Sequence, residues 1–150
     1  MAKLAFAALL LWAVTIAAAA FLYVNGITAK GIDGRQTVLL SDSERDHVLS
    51  EMRDLLDSVM QITAALARPD NAAVSKIAGA IGSRGMAGES PALIAKLPLD
   101  FKTAGANMHA GFDQLAFAAR GGASQARLTT MLSEQLGACV ACHASYRVIP

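Results

Sequence analysis

The 150 residues carry 13 basic and 12 acidic side chains, a near balance that lacks the basic stripe nucleic-acid binding requires. The length suits one domain plus an extra segment. A chain rich in Ala and Leu, with 5% aromatics and no stretch alternating apolar and polar residues, is expected to be all-α.

Leu4 to Val24 is an unbroken apolar run without charge, preceded by Lys3. Its length of about 20 residues matches the hydrocarbon core of a bilayer. Ala17–Ala20 offers small residues for a signal-peptidase cut, but the apolar run continues through Phe21, Leu22, Tyr23 and Val24. The expectation for residues 1–24 is therefore an uncleaved signal-anchor helix, with Tyr23 where an interfacial aromatic belongs. Beyond Lys3 the chain is balanced, with 12 charges of each sign. Residues 25–40 read as a linker, broken by Gly26, Gly31 and Gly34. Thr37-Val38-Leu39-Leu40 is a short apolar patch expected to pack on the body.

The body, residues 41–150, reads as four helices. Ser41-Asp42-Ser43-Glu44 has the form of a capping box. An apolar stripe follows through Val48, Leu49, Met52, Leu55, Leu56, Val59 and Ile62 to Leu66, and Pro69 disfavours helix in the residue before it. A second helix, capped by Asp70 or Asn71, presents Val74, Ile77, Ala78 and Ile81. Gly82 to Ser90 reads as a flexible loop, and Pro91 opens a short helical piece ending at Lys96. A third helix runs from about Pro98 to Arg120, with Phe101, Met108, Phe112 and Leu115 on its stripe, and Gly121-Gly122 stops it. A fourth runs from about Ser124 through His143. Four amphipathic helices with short connections predict an antiparallel four-helix bundle, whose core can hold a cofactor.

Near the end of the fourth helix stands Cys139-Val140-Ala141-Cys142-His143, the C-x-x-C-H spacing of covalent haem attachment. Two thiols at i and i+3 share a helix face and can add to the two porphyrin vinyl groups. The adjacent histidine can reach the iron as proximal ligand. A thioredoxin-like redox pair would need a βαβ context that is missing. A closed zinc site needs four ligands, and the other histidines, His47 and His109, are distant in sequence. The motif thus predicts one covalently bound haem c. Such haem is attached outside the bacterial cytoplasmic membrane, so the body is expected in the periplasm, anchored by a single pass.

C-x-x-C-H on the last of four helices, within Cys139 to Arg147 (CVACHASYR), resembles the class II c-type cytochromes, the cytochrome c′ family. The resemblance covers residues 41–150 and leaves out the anchor. The motif end is specific, whereas the first three helices match by pattern. The resemblance implies either a low-spin electron carrier, in which a methionine of the first helix is the sixth iron ligand, or a five-coordinate protein that binds nitric oxide or carbon monoxide. Met52, about two turns into the first helix, is the expected distal ligand, with Met60 next in line. Arg147 is a candidate partner for a haem propionate and Tyr146 for the haem edge. The ordinary readings are a core methionine at Met52 and a solvated arginine at Arg147. Met108 reads as core. His47 and His109 read as surface or hydrogen-bonded histidines. The acids of the first helix, including Glu51, Asp54 and Asp57, read as a solvated face. The expected role is one-electron transfer between redox proteins, in association with a respiratory or photosynthetic membrane complex, without enzymatic activity of its own. Homodimerisation is a further implication of the resemblance.

Overall fold

The computed structural model describes residues 2–86 and 88–149 and is mostly helical, with six α-helices and a small sheet. Helix α1, Ala2–Asn25, is an apolar rod exposed along its whole length. Its 24 residues rise about 36 Å at 1.5 Å each, against about 30 Å of bilayer hydrocarbon. It is therefore long and apolar enough to cross a membrane.

The stretch read as a linker is structured. Strands β1, Thr28–Lys30, and β2, Gln36–Leu39, pair antiparallel. The last residues of the chain, β3 Tyr146–Ile149, add in parallel to β2. This three-stranded sheet departs from the all-α expectation. Strands this short, and separated by about 100 residues in sequence, leave no local periodicity to read. The Thr37–Leu40 patch does pack on the body, as expected. Val38 and Leu40 are buried with Leu93 and Leu97, and Val48, Phe101, Tyr146 and Val148 lie around them.

Helix α2, Asp42–Ala67, starts on the predicted capping box: Ser41 Oγ accepts from the Glu44 amide while the Glu44 carboxylate accepts from the Ser41 amide at 2.8 Å. Asp70 caps α3, Asn71–Ile81, and Ser124 caps α6, Gln125–Ser145. Between them lie a 3-10 turn at Ser83–Met86, the short α4 at Pro91–Lys96, and α5 at Leu99–Arg120. The turn occupies part of the expected flexible loop and is held by Asp113, which accepts from the Ser83 amide at 2.9 Å. Ala87 of that loop and the terminal Pro150 lie outside the described residues.

Helices α2, α3, α5 and α6 share one core. Ile62 and Ala65 of α2, Val74 and Ala78 of α3, Phe112, Leu115, Ala116 and Ala119 of α5, and Leu128 and Leu132 of α6 are buried together. The core joins the C-terminal halves of α2 and α5 to the N-terminal half of α6. Hence α6 runs against α2 and α5, and its C-terminal half lies at the other end of the molecule.

Candidate haem-binding site

Helix α6 carries its buried line past the core. Cys139 follows Leu132 by two turns, and Cys142 follows Leu128 by four. Both thiols therefore extend the inward face, and His143 comes three turns after Leu132 at its edge. Cys139 and Cys142 are free, half-buried cysteines. Burial pushes both thiols up, and the Cys139 charge adds to the effect at Cys142, so both are protonated at neutral pH. His143 is exposed.

On α2, Met52 precedes Val59 by two turns and Leu66 by four, and both of those residues pack on the core. The residue levels correspond. Ala65 and Leu128 belong to the same buried cluster. Counting from them at 1.5 Å per residue, Met52 stands about 20 Å along α2, and Cys139 and Cys142 about 17 and 21 Å along α6. Met52 and the motif thus lie at similar distances from the shared core, each along its own helix. Among the described residues, however, the apolar cleft that Met52 lines is walled by α2, α3, α4 and α5 and includes no α6 residue. This cleft has a volume of about 540 Å³ and also contains Val48, Leu55, Phe101 and Met108.

This end of the body is open. Leu56 is 70% exposed and Val140 70%, with Met60 and Leu136 also in solvent. On α2 the flank bearing Leu56 is turned away from the flank where His47 reaches Glu89. On α6 the flank bearing Leu136, Val140 and His143 is turned away from Gln135, which packs over Gly111 of α5. Both helices thus carry exposed apolar side chains on flanks that the neighbouring elements leave uncovered.

Polar groups collect at the end of α6. The Arg35 guanidinium donates to the His143 carbonyl at 3.3 Å and pairs with Asp33 at 2.7 Å. Arg147 reaches the same Asp33 at 3.6 Å. The Arg35 hydrogen bonds hold the Asp33 carboxyl at about 2. Among the described residues Arg147 Nε is buried without a hydrogen-bond partner, as is Thr37 Oγ1 on the adjacent strand. Tyr146 meets Phe101 edge-to-face at 5.2 Å. Burial, followed by the charges of Asp100 and Cys142, pushes its phenol up.

The same end receives α1. Gly26 has φ +63° and lies so close to Lys96, Leu97 and Pro98 that a Cβ would enter their backbone. Ile27 donates to the Lys96 carbonyl at 2.7 Å. Lys102 donates to the Tyr23 carbonyl at 2.8 Å and stands 4.0 Å from the Tyr23 ring centroid. Phe101, the next residue, touches Tyr146. The motif end of α6 and the exit of the apolar helix thus share one side of the body.

These residues fit a covalently attached haem. Paired reduced thiols extend an inward face, an imidazole follows them, and among the described residues a buried guanidinium nitrogen has no acceptor, whereas Met52 lines a cleft that holds no α6 residue. Of the sequence candidates, Cys139, Cys142, His143, Tyr146 and Arg147 are gathered at one end. Met60 is exposed, Met108 packs against the core, and His109 is tied to the Ile81 carbonyl at 2.6 Å. Asp33 and Arg35 were not recognised in the sequence, because their role depends on a hairpin that was read as linker. Comparison with protein-family models, curated proteins and solved structures finds no match to this chain.

Proposed function

We propose that the protein is a membrane-tethered one-electron carrier of the class II cytochrome c kind: a four-helix bundle holding one haem c through Cys139 and Cys142, with His143 and Met52 on the two sides of the iron. The observation that carries this reading is the open end of the body. There the free, half-buried thiols of Cys139 and Cys142 and the imidazole of His143 follow one another on a helix whose Leu136 and Val140 stay in solvent, as do Leu56 and Met60 of α2. The bound group supplies a one-electron couple, and a thioether ligand raises its potential. The chain's own residues do the rest. Leu56, Met60, Leu136 and Val140 cover the group and exclude water. His143 and Met52 would hold the iron, leaving no ligand position for small molecules. Arg147, and Arg35 beside it, offer guanidinium donors for propionates. A docked α1 keeps this end near the surface of a bacterial inner membrane, on the periplasmic side, where a membrane-bound redox partner would exchange electrons with it.

The test is an optical spectrum of the full chain, oxidised and reduced, made in a host with haem-attachment machinery. Sharp reduced α and β bands and a near-infrared methionine–iron band that disappears in Met52→Ala are expected. A broad high-spin spectrum that shifts with carbon monoxide would instead identify a five-coordinate gas-binding protein. Absence of haem absorbance would refute both.

A further inference from the structure

On the flank of α2 opposite the haem side, three side chains from two separate elements converge. His47 Nε2 lies 3.4 Å from Glu89 Oε1 and 3.7 Å from Glu51 Oε1. All three donor atoms fall within 4.8 Å of one another. A tetrahedral zinc ion with bonds of about 2.0–2.2 Å places its ligand atoms about 3.3–3.6 Å apart. The observed separations are therefore close to the edges of such a tetrahedron before any side chain moves.

The chemistry of the neighbourhood agrees. Among the described residues neither Glu51 nor Glu89 pairs with a lysine or arginine, and Glu89 is only 18% exposed. Two carboxylates held together in a half-buried place need a cation or a shared proton. A further nitrogen donor faces the same cleft. His109 lines it, its Nδ1 donating to the Ile81 carbonyl at 2.6 Å.

We infer that His47, Glu51 and Glu89 form a site for a divalent transition ion of the zinc type, clipping the segment before α4 to α2 at the mouth of the apolar cleft. Three protein ligands leave the fourth position of the ion to water. The inference does not rest on the haem reading, because it uses none of the α6 residues.

The experiment is isothermal titration of zinc into the full-length protein in detergent, alongside His47→Ala, Glu89→Gln and the control Asp46→Asn. Circular dichroism confirms that each variant is folded. One equivalent is expected whose affinity falls tenfold or more in each of the first two variants and is unchanged in the control. Zinc captured by unmodified thiols would appear as a separate equivalent, removed by Cys139→Ser/Cys142→Ser and untouched by the α2 variants. Any smaller loss in His47→Ala and Glu89→Gln, or an absence of binding beyond the thiol equivalent, overturns the site. A second readout guards against general damage. Glu51→Gln removes one of the two carboxylate charges, so it raises the melting temperature without metal and abolishes the further rise that zinc gives the natural protein. A fall without metal would contradict the arrangement.

Discussion

The two halves of α6 belong to different environments. Its first half buries Leu128 and Leu132 against Phe112, Leu115 and Ile62. Its second half continues the same face through Cys139 and Cys142 yet leaves Leu136 and Val140 in solvent. Helix α2 mirrors this pattern, with Ile62 and Ala65 buried and Met52, Leu56 and Met60 outside. A side chain on the closed end is held by polypeptide alone. On the open end Leu56, Met60, Leu136 and Val140 stay in solvent, and the proposed haem would cover them.

The contrast predicts very different mutational costs. Phe112 is 1% exposed, so Phe112→Ala should cost about 3–5 kcal/mol, whereas Val140→Ser should stay within about 0.5 kcal/mol in protein made without haem. Urea unfolding of the full chain in detergent measures both. Equal costs would erase the distinction between the two ends. In haem-loaded protein Val140→Ser should become measurably destabilising, which sharpens it.

The docking of α1 comes next in size. Gly26→Val places a side chain both at a positive φ and inside the Lys96–Pro98 backbone. A loss of about 1–3 kcal/mol from the body is expected, by the usual cost of a strained backbone residue. An unchanged melting temperature would mean that residues 25–40 behave as a tether after all. Removing the α2 cap with Ser41→Ala should cost about 1 kcal/mol, with the loss read in the same urea titration.

The smallest effect concerns acid. Lys96, 2.6 Å from Glu44, together with the Ser41 amide and hydroxyl, holds the Glu44 carboxyl at about 2, below its ordinary 4.5. A depressed carboxylate contributes stability that is complete above its unfolded value and is lost as pH falls through the folded one. Glu44→Gln should therefore lower the melting temperature slightly at pH 7, with the difference shrinking as pH falls from 4.5 towards 2 and vanishing below 2. A gap that persists in acid would assign the effect to packing.

Much of this architecture was legible in the sequence because its signals are local. The Ser41–Glu44 box, the Asp70 and Ser124 caps, Pro91 and Gly121-Gly122 marked the helix ends, and the period of the apolar stripe marked the faces. The proposed haem site rests on a signal of the same local kind, because C-x-x-C-H names its residues by spacing alone. What the sequence did not disclose depends on distant partners. Strand β2 pairs with a β3 more than 100 residues away. Asp33 meets Arg147 only because that pairing exists, and Glu89 meets His47 only because the loop folds back on α2. His47 was read as surface and is exposed, yet its neighbours give it a chemistry that its own segment did not reveal.

The central claim is that the open end of the body is completed by a covalently held haem. It is tested most directly by the mass of the denatured full-length protein made in a haem-attaching host. The account predicts a mass raised by one haem in the natural chain and unmodified in Cys139→Ser/Cys142→Ser. An unmodified mass in the natural chain, with both thiols still titratable, would contradict it.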